Sequence, residues 1–435
     1  MRQETPRTFK RPKVVLLNLN DAPPIIAPVA FDHLLPYLRG WEVAIFDLAP
    51  SHHAIKPFFH ALTKLKPDIV FVTLRNVDTA IYGGRFLLGD MVPLVKRLRN
   101  KLKESIFVAG GPAFTLYPEL LMELCGFDYG VLGDGEVVTE EVVRVICEDT
   151  SRDIEKIAGL VFWKNGRLVK NEPKIRQLSE FRQPVRLKSL YESYLRERID
   201  IGGGIETKRG CDGHCIYCVE PYVKGREVRL KEPQQVLEEI KCFLKIGIRS
   251  FMWLDSEFNN PEEHAIEVME HIERSGLGSR IEWRAYVRPK NLSEDFFALA
   301  KRTGCFCLDI DGISADDQQI ARMGGGFTMD DVVLASQIAR KNNVPFVLNY
   351  LLGGPGDTVE RANKTIEFFH KLGPKAVSGT VGLRVYPHTP LHKIVLRAGE
   401  LEKNPCLKGY VHNNASFYRP VFYVEPSMRR LMKRT

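Results

Sequence analysis

At 435 residues, with 44% hydrophobic and 27% charged side chains, the chain is long enough for two or three domains and too ordinary in composition for a disordered or fibrous protein. No apolar run reaches transmembrane length and the start Met1-Arg2-Gln3-Glu4 is no secretory signal, so the expected compartment is the cytoplasm, with no membrane span. The net charge of +8 gathers at Arg7, Lys10, Arg11 and Lys13, around Lys96-Arg97-Leu98-Arg99, and at residues 429–434; solvated ends and one helix face carry such charge unaided, and no nucleic-acid partner is expected.

The first half reads as alternating strands and helices. Residues 14–19 form a continuous β-rich apolar run, as a buried parallel strand does. Further strands are expected at 41–48, 69–74, 106–109 and 129–132, with helices at 28–38, 58–65, 90–101, 119–124 and 136–147. This is the pattern of a doubly wound α/β domain, whose ligands bind outside the carboxyl ends of the strands. Three groups begin at or just after such ends: Thr73-Leu74-Arg75-Asn76, then Gly110-Gly111 through Thr115, then Gly133-Asp134-Gly135-Glu136. Their loops should share one sheet edge. Near residue 150 the pattern changes. Two short strands flank Asn165-Gly166, a strong hairpin signal, and 173–195 reads as a polar, irregular linker.

A second alternation begins at Gly204. Strands are expected at 205–208, 250–254, 281–287, 306–310, 345–352 and 376–385, and helices at 232–244, 261–275, 293–303, 329–341 and 359–372. Ser293 followed by Glu294 and Asp295 has the form of a helix cap with an acidic first turn. Six strands alternating with helices suggest an open (β/α) barrel, in which chemistry sits at the C-terminal strand ends. The expected boundaries are 1–150 for the first domain, 151–198 for hairpin and linker, 199–395 for the barrel and 396–435 for a C-terminal extension.

The most specific feature follows the first barrel strand. Cys211, Cys215 and Cys218 stand in C-x3-C-x2-C spacing with Tyr217 before the last. Three thiolates can hold three irons of a cubane cluster, leaving the fourth open to a ligand. A zinc site is the alternative; zinc normally takes four ligands, and His214 could serve, though it lies inside a very tight loop. The other six of the nine cysteines lie mostly in apolar contexts, so no disulfide framework is expected.

This segment closely resembles the radical S-adenosylmethionine (SAM) superfamily. The resemblance implies a 4Fe–4S cluster on the three cysteines, with SAM chelating the open iron and its adenine near Tyr217. Other segments match in order. Asp255, Ser256 and Glu257, after the second strand, fall where the family contacts the methionine amine. A solvated, helix-capping loop is the plainer reading. Arg288 could pair with a carboxylate, or be a surface arginine. Asp311 falls where the ribose is approached, unless it only caps a loop. Gly353 and Gly354 begin a Gly-rich turn that lets a ligand come close to the backbone.

The first half resembles the cobalamin-binding domain that precedes the barrel in one large radical SAM class. That resemblance assigns the corrin contacts to Thr73, Leu74, Arg75, Asn76, Gly110, Gly111, Thr115, Gly133, Gly135 and Glu136; ordinary βα turns of a flavodoxin-like domain are the alternative. The D-x-H-x-x-G motif that supplies a lower cobalt ligand is missing, since His52 and His53 follow Asp47 at the wrong spacing. In the tryptophan C-methyltransferase-like branch an arginine in a related Leu-Arg-Asn segment lies below the cobalt, and Arg75 matches it. A cation there would disfavour an axial ligand.

The implied function is methyl transfer from SAM, via methylcobalamin, to an unactivated carbon or other poorly reactive centre of a small metabolite, with an external one-electron reductant of flavodoxin or ferredoxin type. A cobalamin radical SAM ring cyclase or rearrangement enzyme is the alternative. A methylthiotransferase-like tRNA-modifying enzyme would need upstream cluster cysteines, and residues 1–124 contain none. Residues 417–423 are aromatic and basic, and read as a strand packing its apolar face rather than as a substrate wall.

Overall fold

The computed structural model describes residues 12–21, 25–50, 55–147, 153–196, 203–290 and 292–433; His52 and His53 lie outside them. The chain divides into two compact units, one built from residues up to Thr79 and from Phe86 to Gly202, the other from Ala80–Arg85 and Gly203 onward.

The first unit alternates β1 (Lys13–Asn18), α1 (Val29–Leu34), β2 (Glu42–Asp47), α2 (Ile55–Leu65), β3 (Ile69–Thr73), α3 (Leu87–Lys101), β4 (Ile106–Gly110), α4 (Pro112–Leu116), α5 (Pro118–Cys125), β5 (Tyr129–Val131) and α6 (Glu136–Cys147). Strands β1 to β5 are parallel in the order β2-β1-β3-β4-β5, the flavodoxin-like order whose switch point lies between β1 and β3. β1 is buried at every position from Val14 to Asn18, because both faces of this interior strand are covered.

The hairpin corrects the expected organisation. β6 (Leu160–Lys164) and β7 (Arg167–Lys170) turn through Asn165 at φ +50° and Gly166 at φ +75°, the left-handed pair that a tight hairpin needs. Expected to stand apart in the 151–198 segment, the hairpin instead pairs antiparallel with β5 and extends the sheet to seven strands. It covers an edge that β5 would otherwise leave open, and buries Leu160, Val161 and Phe162. The stretch 173–195, expected to be irregular throughout, ends in α7 (Lys188–Arg196). Tyr191 and Tyr194 of α7 are fully buried in this unit and donate to Asp32 and Asp47. Few apolar residues mark α7, because tyrosine hydroxyls meeting buried carboxylates do much of the anchoring.

The second unit runs β8 (Gly203–Ile205), β9 (Lys208–Arg209), α8 (Glu220–Val223), β10 (Arg229–Leu230), α9 (Pro233–Lys245), β11 (Ser250–Trp253), α10 (Glu262–Arg274), β12 (Glu282–Val287), α11 (Glu294–Arg302), β13 (Cys305–Ile313), α12 (Asp317–Arg322), α13 (Met329–Lys341), β14 (Phe346–Leu352), α14 (Val359–Lys371) and β15 (Ala376–Val381). Its main sheet has six parallel strands in the order β15-β14-β13-β12-β11-β8. Ser293 caps α11 by accepting from the Phe296 N–H at 3.1 Å. The strand expected at 205–208 is broken: β8 pairs with β11, while β9 pairs antiparallel with β10. The strand expected at 376–385 is broken too. At Gly382 the backbone passes through φ +97°, and β16 (Leu383–Arg384) joins a small separate sheet. After α15 (Pro390–Arg397), β17 (Leu407–Gly409) and β18 (Val421–Tyr423) complete that sheet in the order β16-β18-β17. β18 is buried throughout, and Phe422 meets Tyr82 edge-on at 5.6 Å. Among the described residues no helix is long and apolar enough to cross a membrane.

Candidate active site

The cysteine loop follows β9, at the C-terminal side of the barrel's first strand. Backbone hydrogen bonds hold it: Cys211 N–H to Gly225 O at 3.0 Å, Ile216 N–H to Met323 O at 3.0 Å, and Leu391 N–H to Ile216 O at 2.8 Å. Two glycines allow this packing. Gly210 sits at φ +104° with room for no side chain, since a Cβ would lie 1.9 Å from Glu227 O. At Gly324 a Cβ would lie 2.1 Å from His214 O. Burial raises all three thiols, Cys215 to about 12. The protons they hold leave when a metal binds. His214 is exposed, and among the described residues no three His, Cys, Asp or Glu side chains converge on one metal ion. A cubane makes a different demand, one iron per thiolate.

The strand ends beside the loop carry most of the residues singled out above. Glu257, after β11, has Oε2 2.8 Å from Arg288 Nη2, after β12. Burial raises the Glu257 carboxyl, against the pull of Arg288. Burial works against the Arg288 charge, but Glu257 outweighs it and the guanidinium is held above its usual range. Asp311, near the end of β13, is pushed up to about 7 by burial and by Glu257. Asp311 and Glu257 both act on the Cys215 thiol. The Tyr217 hydroxyl is hydrogen-bonded to Cys215 and its pKa is raised well above the ordinary value, chiefly by burial. A Cβ on Gly213 would lie 3.2 Å from Cys211 Sγ and 3.3 Å from Arg288 Nη2, so Arg288 reaches the cysteine loop itself.

The neighbouring candidates are tied to the scaffold. Asp255 accepts from Thr207 N–H at 2.8 Å, Thr207 Oγ1 at 2.6 Å and Lys208 N–H at 3.1 Å. Ser256 Oγ donates to Glu220 Oε2 at 2.8 Å. Gly353, at φ +84°, donates its N–H to Asp357 at 2.7 Å, and a Cβ on Gly354 would lie 2.5 Å from Met323 Sδ. Since Met323 O accepts from Ile216, the glycine turn and the cysteine loop are braced through one methionine. Asn259 escaped the sequence reading. Its side chain accepts from Arg288 N–H at 2.9 Å and donates to Arg288 O at 2.8 Å, which fixes that strand end. Asn259 does stand in the same Asp255–Asn259 segment, the one signal that could have found it.

In the first unit the three loop groups do share one edge. Leu74 N–H donates to Gly110 O at 2.8 Å, and Ala113 N–H to Leu74 O at 2.9 Å. Gly111 is at φ +98°, where a Cβ would meet Leu74 O at 2.8 Å. Gly133 N–H donates to Thr115 Oγ1 at 3.3 Å. Glu136 turns inward, with Oε1 3.7 Å from His33 Nδ1, both residues buried. Arg75 projects after β3 at the same edge as Asn18 of β1 and Asp47 of β2. Its Nε donates to Asn76 Oδ1 at 2.6 Å. With the Asn20 amide oxygen turned toward it, Arg75 Nη2 also donates to Asn20 at 2.9 Å. Burial lowers the guanidinium's pKa, opposed by Tyr194 and Asp47.

The comparisons with known proteins follow the same division. The radical SAM superfamily matches residues 205–369, and the B12 binding domain matches 17–143. The chain belongs to the cobalamin-binding radical SAM enzymes. An uncharacterised methyltransferase of Pyrococcus horikoshii is 29% identical over 371 residues, covering 84% of this chain and 77% of the relative. Tryptophan 2-C-methyltransferase of Streptomyces laurentii is 25% identical over 482 residues, covering 94% and 78%. The radical SAM methyltransferase TsrM of Kitasatospora setae, solved with tryptophan substrate and a SAM analogue bound, superimposes with a TM-score of 0.86 at 26% identity, covering 97% of this chain and 87% of that one.

A cobalamin-binding radical SAM enzyme uses a 4Fe–4S cluster, SAM and cobalamin. The residues present fit these groups. Three thiols in one braced loop are soft donors suited to iron–sulfur ligation. Arg288 Nε is buried without a hydrogen-bond partner while Nη2 faces Glu257 Oε2, so the ion pair leaves a donor that an amino-acid-like ligand can satisfy. At the other edge, the Gly110-Gly111 turn keeps side chains away from a surface on which a flat macrocycle can lie. Asn18, Asn20 and Tyr194 were not singled out in the sequence reading, and Asp47 entered it only beside His52 and His53; Asn18, Asn20 and Asp47 stand at or just past strand ends, but nothing in the sequence ties Tyr194 to them.

Proposed function

We propose that this enzyme transfers a methyl group from SAM to a poorly reactive, carbon-centred acceptor on a small molecule. The observation that carries the reading is that one chain matches TsrM over 97% of its length, with the cysteine loop and the glycine-lined sheet edge both present. When bound, cobalamin supplies a methyl carrier, while the cluster and SAM supply the methyl donor and, for acceptors that need it, a hydrogen-abstracting radical.

The chain's own residues then have distinct tasks in this reading. Cys211, Cys215 and Cys218 ligate the cluster. Arg288 and Glu257 take the carboxylate and amine of the SAM methionine portion, as complementary charges held by Asn259. Asp311 faces the ribose. Its carboxyl, near 7, accepts hydrogen bonds when ionised and donates one when protonated. Tyr217 offers a wall for the adenine. Asp255, Ser256, Gly353 and Gly354 shape the pocket from behind. In the first unit Thr73, Leu74, Asn76, Gly110, Gly111, Thr115, Gly133 and Gly135 line the corrin, with Glu136 holding α6 through His33. Arg75 would face the bound corrin as a cation that cannot ligate a metal, and would disfavour water on that side. An external one-electron donor of flavodoxin or ferredoxin type would supply the electrons for reductive SAM cleavage where a radical is needed, and would restore cofactors that fall out of the cycle.

Anaerobic enzyme reconstituted with iron, sulfide and cobalamin, supplied with methyl-labelled SAM and a panel of small heteroaromatic and aliphatic acceptors, tests the reading. Label in a product one methylene heavier than its acceptor is expected. A product of unchanged carbon count but two hydrogens fewer would move the chain to the ring-closing branch.

A further inference from the structure

The surroundings of Arg75 contain an arrangement that the cofactor assignment does not require. A buried arginine near an aspartate normally forms an ion pair with it. Arg75 does not: its guanidinium contacts the neutral amide oxygens of Asn76 and Asn20, and no carboxylate among the described residues forms an ion pair with it. Asp47, at the end of the next strand but one, is the carboxylate that acts on it electrostatically. Asp47 is held elsewhere. Its Oδ1 accepts from Asn18 Nδ2 at 2.8 Å and from Ala49 N–H at 3.1 Å. Its Oδ2 accepts from Tyr194 Oη at 2.5 Å. Tyr194 is fully buried and comes from α7, 119 residues beyond Arg75 in the chain. A second buried contact, Tyr191 hydroxyl to Asp32, anchors the same helix, with Arg186 2.5 Å from Asp32, so the position of Tyr194 does not depend on Asp47 alone.

We propose that Tyr194 is a positioning residue for the lower face of the cobalt: by occupying Asp47 Oδ2 it keeps that carboxylate off Arg75 and leaves the guanidinium on neutral amides with its positive charge uncancelled. The inference rests on the reading of Arg75 as the group beneath the cobalt. Its physical content is a competition. A buried carboxylate oxygen that loses its hydrogen bond seeks the next donor, because an unpaired charged atom in a low-dielectric site is costly. With the phenol removed, the proposed donor is Arg75, the cation on which this carboxylate already acts. An Arg75–Asp47 pair would draw the guanidinium from its asparagine seat and cancel the charge that disfavours an axial ligand.

The test uses holoenzyme with cluster and cob(II)alamin, read by electron paramagnetic resonance, which separates four-coordinate from water-ligated five-coordinate cobalt. Wild-type enzyme is expected to be mainly four-coordinate. Tyr194→Phe should raise the five-coordinate fraction several-fold at unchanged cobalamin content. Asp47→Asn, which removes the competing charge, should leave the spectrum near wild type, and Tyr194→Phe/Asp47→Asn should restore it. The double variant keeps both side-chain volumes and has no unpaired carboxylate, so it serves even where Tyr194→Phe alone folds poorly: a five-coordinate spectrum there overturns the proposal. An unchanged spectrum in folded Tyr194→Phe overturns it too. Arg75→Ala separates the two levels. If it shifts the cobalt spectrum while Tyr194→Phe does not, the positioning role fails and the placement of Arg75 stands; if it shifts nothing, the placement itself fails.

Discussion

Both units put their candidate chemistry at the C-terminal ends of parallel strands, but they build it in opposite ways. In the barrel the donors come from one short loop, with Cys211, Cys215 and Cys218 spanning eight residues, and neighbouring strand ends add charged groups to it. In the first unit no single loop suffices. Backbone turns after β3, β4 and β5 share the edge, Arg75 there is held by asparagines from two loops, and the nearby Asp47 is held by a tyrosine from α7. Covalent coordination tolerates a compact, sequence-local ligand set. Holding a non-coordinating cation at a fixed place, with its charge intact, needs neutral partners on several sides and a carboxylate kept at a distance.

The strongest way to break this comparison is to remove one site and ask whether the other survives. Changing all three cysteines to alanine is expected to lower iron from about four per chain to almost none, with cobalamin content unchanged; iron assay and the corrin absorbance report the two separately. The converse variant is Gly111→Val. Its Cβ would meet Leu74 O at 2.8 Å in a backbone at φ +98°, strain of about 1–3 kcal/mol. Cobalamin retention should fall at least tenfold while iron stays. A parallel loss of iron would mean that the two edges are not independent.

Within the barrel, Arg288→Ala leaves the Glu257 carboxylate buried without its cation. Breaking a buried pair costs about 3–5 kcal/mol; these side chains retain 19% and 11% exposure, so the lower end applies. A lower melting temperature of the apo-protein and weaker SAM binding by equilibrium dialysis are expected, and Arg288→Lys should recover part of the first but little of the second.

The smallest effect is a pH dependence. Asp311 is raised from 3.8 to about 7 by burial and Glu257. The folded chain therefore keeps a proton that the unfolded chain has already lost, and this group's contribution to stability falls as pH rises from about 4 to about 7. Asp311→Asn should raise the apo-protein's melting temperature at pH 8 and leave it nearly unchanged at pH 4. Equal effects at both pH values would remove the assignment of the shift to this carboxyl.

Local pattern was enough to read much of this molecule. The alternation of apolar strands with amphipathic helices, the Asn165-Gly166 turn, the Ser293 cap and the cysteine spacing are all carried by residues close in sequence. So were the three loops of the first edge, since a parallel sheet brings its βα turns to one side. Where local reading fell short, the deciding partner was distant. The hairpin reads as a separate piece until β5 offers it an open edge. Asp255 reads as a ligand-facing acid, and its hydrogen bonds go to Thr207 and Lys208, 48 and 47 residues away. Residues 188–196 read as linker because their burial rests on two tyrosine hydroxyls rather than on an apolar stripe.

The amino-acid sequence alone therefore determined which atoms are available: three soft sulfur donors in one loop, glycines in the turns after the strands, and an arginine after β3 with no D-x-H-x-x-G histidine beside it. Only the tertiary structure decided which of those atoms are already taken. A side chain's chemistry belongs to the residue, whereas whether a carboxylate is paired, buried or held away from a cation depends on groups more than a hundred residues distant, as Tyr194 and Asp47 are.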